Sequence, residues 1–435
     1  MKLLIGGGEP HFCEAKRGMQ KIGIVHRVSS GGEPKVEELA SLCQTAGYEV
    51  VYSTYQRRRM HSKYNIGPGK ARELAEIVKT KQLDKIVFEN DLKPVQEYNL
   101  AKLLGVEILT RTLLILEIFI KHASSSEARL QIQLARLKYD LSGAKEKVRL
   151  AAKSGEQPGF HGLGMYDADI YYNEIKRRIS RITKRLETLR RRRSIARTHR
   201  ERHGIPTVAI VGYTNAGKST LFNSLAREMK PVSTELFTTL STTTRMFEAN
   251  GKPLFLSDTV GFIKNLPTLL IEAFHSTLEE IGLSDLILLL VDVSEPTETI
   301  GEKLSCSIDV LRQIGVFGIP IILVLNKIDL IDDHELHEKI SALKLDLPFV
   351  AASSLMGRKL DELTAKVSSL IPGYIRVQAL VENNDRNLHI LSSICERSRV
   401  DRFRYVGGRI QVSLETPRIL AERLKNISLS FRIER

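Results

Sequence analysis

The sequence predicts an α/β protein in four parts, and three observations support this. Strand-like and helix-like segments alternate over residues 21–110 and again over 207–371, a pattern typical of helices that cross between parallel strands. Between these ranges, two repeating apolar seams predict two long helices. We expect an N-terminal parallel α/β domain, an antiparallel helical hairpin, a second α/β domain with a mixed sheet and flanking helices, and a small C-terminal α/β domain.

The boundaries of these parts follow from changes of pattern along the 435 residues. The first segment has no clear period, and a Pro-Gly pair closes the second α/β domain. We place an unassigned segment at 1–20, the N-terminal domain at 21–122, the hairpin at 123–204, the second α/β domain at 205–372 and the C-terminal domain at 373–435.

The N-terminal domain and the C-terminal domain each show short elements of both kinds. In the N-terminal domain we expect strands over 22–25, 49–52, 85–88 and 106–109, and helices over 35–47, 70–80 and 93–104. In the C-terminal domain the pattern predicts a strand over 408–414 and helices near 385–398 and 417–425. The residues of this last domain indicate no chemistry by themselves.

The hairpin is predicted by two seams with helical spacing, each flanked by charge. A capping box, Ser124 with Glu127, precedes the first seam. The glycine-rich segment 154–164 separates the seams, so the helices should fold back on each other with a tip loop over 155–166. The seams are Leu130, Leu134, Leu137 and Leu141, then Tyr172, Ile175, Ile179, Ile182, Leu186 and Leu189.

Positive charge is concentrated in the second helix of the hairpin. The chain has a net charge of +14, and residues 176–202 hold thirteen Lys or Arg against two acidic residues. Such a run is often only a solvated helix face. Four consecutive arginines cover every side of a helix, however, and phosphates relieve their repulsion. We therefore expect an RNA contact at Arg190, Arg191, Arg192 and Arg193.

The remaining bulk features favour a cytoplasmic protein. Hydrophobic residues make up 42% of the chain and charged residues 27%, as in globular proteins with sizeable cores. The four cysteines lack metal-ligand spacing and are most simply reduced thiols. No apolar run reaches the roughly 18 residues that a membrane helix needs. We expect no membrane association and a monomer.

A glycine-rich loop between a strand-like run and a helix-like stretch predicts a phosphate site. Gly212 and Gly217 let successive backbone N–H groups face a polyphosphate at the positive end of a helix. Lys218 places its charge on the β- and γ-phosphates, and the Ser219 hydroxyl ligates Mg²⁺. The predicted contacts are Gly212, Tyr213, Thr214, Asn215, Ala216, Gly217, Lys218, Ser219 and Thr220.

Three further motifs specify the nucleotide. Asp258, at a strand end, can hold Mg²⁺ through water, and the Gly261 N–H approaches the γ-phosphate. Asp329 can accept hydrogen bonds from guanine N1–H and N2–H₂, a donor pair that adenine lacks, so the site selects GTP and GDP. The predicted contacts are Asp258, Thr259, Val260, Gly261, Asn326, Lys327, Ile328 and Asp329, with backbone N–H groups near Ser353, Ser354 and Leu355 facing guanine O6.

These motifs do not assign two parts of the site: the switch threonine and the group that orients the attacking water. Residues 236–245 are crowded with threonines, and their chemistry alone does not select the one that senses Mg²⁺. In GTPases that position their own water, a glutamine follows the Asp-x-x-Gly glycine. Here that position is Phe262, so we expect slow turnover until a partner or another part of the chain supplies the missing group.

Motifs outside the nucleotide site resemble the HflX family of ribosome-associated P-loop GTPases over roughly residues 22–430. Ile66-Gly67-Pro68-Gly69-Lys70 is similar to a turn of the family's N-terminal domain, and Arg111-Thr112 with 115–119 is similar to its linker. Residues 130–139 resemble the family's hairpin signature, and 258–263 followed by Leu266-Pro267 are nearly diagnostic of the family.

The resemblance implies a P-loop GTPase domain and binding to the large ribosomal subunit and its RNA, with release or splitting of stalled or idle ribosomes. It assigns the Mg²⁺-sensing role to Thr239, next to Phe237 and Thr238, with Thr243 as a rival. The catalytic set becomes Lys218, Thr239 and Gly261, and Mg²⁺ is held by Ser219, Thr239 and, through water, Asp258. Asn215 is similar to the asparagine of GTPases that K⁺ stimulates.

Two departures and one alternative accompany the resemblance. In the tip loop, residues 161–165 keep the family's glycines but lack the charged residues at the two ends of its motif. A role for those charged residues is therefore not expected in this chain. Ser354 stands where alanine is usual in the guanine motif. The alternative function is an ATP- or GTP-dependent RNA remodelling or ribosome assembly factor in which the nucleotide mainly gates RNA binding.

Overall fold

A computed structural model of the chain divides into two compact units, one within residues 1–118 and 143–169 and one within 119–142 and 170–435. The unassigned segment 1–20 lies almost wholly outside the described residues, and the tip loop does so apart from its last residue. The structure describes residues 19–29, 36–123, 125–153, 166–201, 204–226, 243–259, 261–263, 269–271, 274 and 278–434.

The first unit contains a parallel four-stranded sheet, which confirms the N-terminal α/β prediction. The strand order is β2-β1-β3-β4, with every pair parallel. Apolar side chains of the strands and helices, such as Val25, Leu74 and Phe88, form one buried cluster. The elements are β1 Gln20–Val28, α1 Glu37–Thr45, β2 Tyr48–Arg57, α2 Pro68–Lys81, β3 Lys85–Phe88, α3 Pro94–Leu104 and β4 Glu107–Thr110.

Three helices follow this sheet in sequence: α4 Arg111–His122, α5 Ser126–Lys153 and α6 Tyr166–Glu201. The long pair α5 and α6 confirms the two helices that the seams predict. The sequence pattern does not predict α4, which is an additional element of the linker. Ser124 lies outside the described residues, and the Ser125 hydroxyl oxygen accepts a hydrogen bond from the Ala128 N–H at 3.0 Å, which caps α5.

Burial along α6 follows the predicted seam. Ile175 and Ile182 are buried and the other four seam residues are half-buried, while most of the charged positions between them are exposed. On α5 the buried face is wider than predicted, because Ala128, Gln131 and Ala135 are buried beside Leu134. Within the part of the chain that the structure describes, no helix is long and apolar enough to cross a membrane.

The second unit contains a mixed six-stranded sheet in the order β10-β9-β8-β5-β7-β6, as the fold class predicts. The β6–β7 pair is antiparallel and the other pairs are parallel. Every residue of β8 is buried, as expected for a central parallel strand. The elements are β5 Thr207–Gly212, α7 Lys218–Leu225, β6 Thr243–Ala249, β7 Lys252–Asp258, β8 Leu286–Asp292, α8 Thr297–Gln313, β9 Ile321–Asn326, α9 Asp333–Leu343, β10 Phe349–Ala352 and α10 Leu360–Leu370.

An antiparallel sheet with two helices ends the chain. Its strand order is β12-β13-β11-β14, and the buried faces of β11 and β13 pack on both helices. The sequence predicted one of its strands and both helices. The elements are β11 Tyr374–Glu382, α11 Asp385–Cys395, β12 Arg399–Val406, β13 Arg409–Pro417, α12 Arg418–Ile427 and β14 Ser428–Glu434.

A buried lysine joins the two sheets of the second unit. Lys252, at the start of β7, donates a hydrogen bond to the Ser368 carbonyl oxygen at 2.8 Å and lies 2.6 Å from the Glu415 carboxylate. The Tyr374 hydroxyl donates to the Pro253 carbonyl oxygen at 2.7 Å. These contacts fix one end of the β6–β7 hairpin, and the other end of β7 carries Asp258.

Candidate nucleotide site

Four neighbouring parallel strands end at one edge of the mixed sheet, and each contributes to the site. β5, β7, β8 and β9 end at Gly212, Asp258, Asp292 and Asn326. The carboxyl edge of a parallel sheet is where ligands bind in open α/β folds. The phosphate loop connects β5 to the N-terminus of α7, so the backbone N–H groups of that helix face the same edge.

Close backbone approach explains both glycines of the phosphate loop. Gly212 has φ of 146°, and a Cβ placed on it would lie 2.4 Å from the Leu290 carbonyl oxygen. Gly217 has φ of 92°, and its Cβ would lie 2.2 Å from Asn326 Nδ2. Neither position accepts a larger residue without movement of the backbone or of the guanine motif.

Lys218 is the first residue of α7, and its side chain lies inside the loop. The residue is 8% exposed, and its ammonium donates a hydrogen bond to the Tyr213 carbonyl oxygen at 2.8 Å. Burial lowers the pKa of Lys218 to about 8, and the negative charge of Asp258 opposes this shift. An anion bound beside the ammonium favours its charged form, so the loop is suited to a polyphosphate.

Ser219 and Asp258 meet at the position where Mg²⁺ is expected. The Ser219 hydroxyl donates a hydrogen bond to Asp258 Oδ2 at 3.1 Å. Among the described residues, no group of three or more His, Cys, Asp or Glu side chains could hold a metal ion. One hydroxyl and one carboxylate fit Mg²⁺, which prefers oxygen ligands, keeps several waters and takes the rest from substrate phosphates.

The Asp-x-x-Gly segment is hydrogen-bonded to the phosphate loop. The Thr214 N–H donates to the Phe262 carbonyl oxygen at 2.8 Å, and the Phe262 N–H donates to the Gly212 carbonyl oxygen at 3.0 Å. A Cβ on Gly261 would lie 2.8 Å from the Lys218 ammonium nitrogen. The Phe262 side chain is 1% exposed, so it is packed in the interior and away from solvent.

Asn326 links the phosphate loop to the second guanine motif. Its Nδ2 donates to the Ala216 carbonyl oxygen at 2.7 Å. Its Oδ1 accepts from the Ser354 N–H at 3.0 Å and from the Ser354 hydroxyl at 2.8 Å. The serine that departs from the family pattern therefore adds a hydrogen bond to the amide. The proposed contact of Ser354 with guanine O6 stays a prediction, because here its N–H bonds to Asn326.

The other residues of the guanine motifs have distinct surroundings. Asp329 Oδ1 is buried and accepts no hydrogen bond from the residues that the structure describes, as expected of an acceptor kept for a ligand. Lys327 has φ of 69°, and its ammonium lies 2.6 Å from Asp292 Oδ2. Ser353 Oγ accepts from the Met356 N–H at 3.1 Å, which closes the turn that contains the exposed Leu355.

The structure therefore brings together most of the predicted phosphate and guanine residues. Phe237, Thr238, Thr239 and Val260 lie outside the described residues. The rival switch residue Thr243 begins β6 and pairs with Asp258 in the β6–β7 ladder. Asn215 is exposed with φ of 63°, a conformation that asparagine tolerates better than most residues.

Sequence reasoning missed Asp292. Its Oδ2 contacts the Lys327 ammonium, and its Oδ1 accepts from the Ser294 hydroxyl at 2.6 Å and from the Ser294 N–H at 3.0 Å. Asp292 thus holds the lysine of the guanine motif. A signal was present, since a carboxylate at the end of an apolar strand-like run lies at the edge where the other motifs end.

Three protein-family models match the chain. Residues 33–120 match a family described as GTP-binding GTPase N-terminal. Residues 122–200 match one described as GTP-binding GTPase Middle Region. Residues 207–327 match one described as 50S ribosome-binding GTPase. This range holds the phosphate loop and the first two residues, Asn326 and Lys327, of the guanine tetrad 326–329.

Curated relatives cover most of the chain. GTPase HflX of Thermococcus kodakarensis is 46% identical over 322 residues, which are 74% of this chain and 72% of that protein. GTPase HflX of Thermofilum pendens is 40% identical over 414 residues, 94% of this chain and 97% of that protein. GTPase HflX of Escherichia coli is 36% identical over 302 residues, 69% and 70% of the two chains.

The mixed sheet, the phosphate loop and the two guanine motifs define a P-loop GTPase, a class that typically binds Mg²⁺. The chain is 40% identical to a curated relative over 97% of that relative's length, which also shows the family to which the chain belongs. The chain belongs to the HflX family of GTPases.

Replacement of Asp329 by asparagine tests the guanine contact. An amide cannot accept from both guanine N1–H and N2–H₂, so we expect GDP affinity to fall by about 10²- to 10⁴-fold. Xanthosine diphosphate should gain affinity instead, because the new NH₂ donates to the xanthine 2-carbonyl. Calorimetry with each nucleotide measures the two affinities and shows whether the preference changes.

The matched control is Asp332→Asn, which changes the same charge at the cap of α9, where the side chain accepts from the Glu335 N–H. It should leave both affinities unchanged. Equal loss of GDP and xanthosine diphosphate binding in Asp329→Asn would contradict a guanine contact by Asp329.

Proposed function

We propose that this GTPase binds the large ribosomal subunit and couples its nucleotide state to the release or splitting of ribosomes. The observation that carries the proposal is the position of the phosphate loop, Asp258 and Asn326 within residues 207–327, the range that matches 50S ribosome-binding GTPases. An arginine-rich helix directly precedes that range and gives it a surface for ribosomal RNA.

The exposed charge of α6 supports an RNA contact. Arg191 and Arg192 are exposed, and no ion pair involves them among the described residues. Arg190 is different, because its guanidinium lies 2.6 Å from Glu279 Oε1 of the GTPase domain. An RNA phosphate at Arg190 competes with this carboxylate, so Arg191 and Arg192 are the better-placed pair. The side chain of Arg193 lies outside the described part.

Thr239 is the proposed Mg²⁺-sensing residue. A switch residue must change its position with the nucleotide. Thr243 is held in the β6–β7 ladder opposite Asp258, which is a poor place for such movement. This supports Thr239, with Ser219 and, through water, Asp258 as the other Mg²⁺ ligands. Phe237, Thr238 and Val260 complete the proposed nucleotide contacts.

Hydrolysis depends on a group that the Asp-x-x-Gly segment does not provide. The Phe262 side chain is buried, and its backbone is bonded to Gly212 and Thr214. It can neither orient a water molecule nor leave its place without breaking those bonds. The Lys218 ammonium and the Gly261 N–H serve the γ-phosphate, and the ribosome completes the site or positions the missing group.

Asn215 is the proposed K⁺ ligand. Its side chain is exposed at the loop, where its amide oxygen can reach a monovalent cation beside the phosphates. A K⁺ ion there would place positive charge against the charge that develops in phosphoryl transfer.

Sedimentation with ribosomal subunits tests the proposed function. We expect the chain to co-migrate with the large subunit when GTP or a non-hydrolysable analogue is bound, and much less with GDP. Lys218→Ala should abolish the nucleotide dependence, because the ammonium contacts the triphosphate. Lys79→Ala, on the exposed side of α2, is the control and should behave as the parent chain. Equal co-migration in all nucleotide states would contradict the proposal.

Neutralisation of two α6 arginines tests the RNA contact. With Arg191→Gln and Arg192→Gln, the slope of log affinity against log salt for large-subunit binding should decrease by about one to two, because each lost phosphate contact lowers it by roughly 0.7–0.9. Arg312→Gln with Arg423→Gln makes the same charge change on other exposed helices. An unchanged slope in the α6 variant would refute the contact.

A cation comparison tests Asn215. We expect faster GTP hydrolysis in K⁺ than in Na⁺ at equal ionic strength, measured with large subunits present. Asn215→Gly removes the side chain but tolerates the φ of 63°, so nucleotide binding should persist while the preference for K⁺ disappears. A preference that survives in Asn215→Gly would exclude the amide as the ligand.

A further inference from the structure

The β12–β13 hairpin of the C-terminal domain has an exposed surface that the proposed function does not use. Residues 401–409 are all exposed, and a Gly407-Gly408 turn with φ of 54° and 75° closes the hairpin. β12 is an edge strand, so one side of its backbone has no neighbouring strand.

The hairpin carries uncompensated positive charge. Arg402, Arg404 and Arg409 form no ion pair among the described residues. The residues opposite the first two on β13 are neutral, namely Ser413 and Gln411. The two acidic residues of the hairpin are already engaged, Asp401 with Arg376 and Arg399, and Glu415 with Lys252. The three free arginines therefore attract a polyanion.

Two aromatic rings alternate with these arginines. Phe403 is 40% exposed and Tyr405 is 65% exposed, and their centroids lie 5.5 Å apart at an interplanar angle of 71°. Both pair with buried residues of β13, Val412 and Ile410, so they extend the core-facing side of the sheet beyond the two helices. Solvent therefore reaches faces of these two rings that would normally be buried against other apolar side chains.

Protection of a sheet edge explains only part of this pattern. Charged side chains on an edge strand prevent it from pairing with other chains. Exposed phenylalanine and tyrosine have the opposite effect, so protection alone does not account for them. Arginine and aromatic side chains together match single-stranded nucleic acid, whose phosphates bind the guanidinium groups and whose bases stack on the rings.

We infer that the β12–β13 hairpin is a second RNA-binding surface, which takes a short single-stranded segment. Successive side chains of β12 point to opposite faces, so the segment lies along the free edge of the strand. Arg402 and Arg404 bind its phosphates from one face, and Phe403 and Tyr405 each offer a ring to a base on the other. Open four-stranded sheets that bind RNA commonly carry such rings on their central strands. The exposed positions of the central strands β11 and β13 are polar here and include Gln378 and Gln411, so we place the surface on the edge strand β12.

Cross-linking to a uridine decamer that contains 5-iodouridine tests the site directly. Irradiation of the full chain should attach RNA to the tryptic peptide 405–409, as identified by mass spectrometry. Cross-links confined to other peptides would overturn the inference. So would a cross-link of this peptide to a ribosomal protein but not to RNA when large subunits replace the decamer.

Fluorescence anisotropy of the labelled decamer measures its binding and separates the contribution of the phosphate contacts from that of base stacking. Arg402→Gln with Arg404→Gln should lower the salt slope by about 1.4, or roughly 0.7 for each phosphate contact on a single strand. Tyr405→Leu should weaken binding about five- to hundredfold with little change of slope, because it removes a stacking surface and no charge.

Arg423→Gln with Lys425→Gln is the control, because it removes two exposed charges from α12 of the same domain. It should change neither the salt slope nor the affinity for the decamer beyond the small effect of a lower net charge. If the hairpin and control variants behave alike, the inference fails. The α6 contact is tested separately by Arg191→Gln and Arg192→Gln, so either surface can fail while the other stands.

Discussion

The backbone of residues 212–214 is the constraint on which the nucleotide site depends. It is packed against the Leu290 carbonyl on one side and hydrogen-bonded to both backbone groups of Phe262 on the other. Asn326 fixes the next turn of the loop through the Ala216 carbonyl oxygen. The phosphate cradle is therefore held by β8, by Asn326 at the end of β9 and by the segment that follows β7. Its conformation is set by the protein itself, which lowers the ordering cost of binding.

The same constraint fixes the segment that follows Asp258. Pairing with Gly212 and Thr214 places Gly261 against the Lys218 ammonium and packs the Phe262 ring in the interior. A tight cradle is thus combined with a position that cannot activate water. We propose that such a site binds GTP and hydrolyses it slowly until another molecule contributes the missing group. A basic helix before the GTPase domain and a basic aromatic hairpin after it provide surfaces by which ribosomal RNA could be that molecule.

Sequence reasoning succeeded where chemistry or burial leaves few choices. The phosphate loop and the tetrad ending at Asp329 need particular residue types, and the parallel strands are buried runs, so both were predictable. α4 was missed because its residues are buried in succession, which hides helical periodicity. Strands β12 and β14 were missed because edge strands are exposed on both faces and show no clear alternation. Asp292 was missed because a lone carboxylate at a strand end has no motif.

The rate of GTP hydrolysis with and without large ribosomal subunits tests the central claim most directly. Under single-turnover conditions with saturating chain, the account predicts slow hydrolysis by the free protein and a stimulation of at least about a hundredfold by the large subunit, within the range known for trans-acting groups in GTPases. A free chain that hydrolyses GTP at the stimulated rate would show that the buried Phe262 is no obstacle, and would contradict the account.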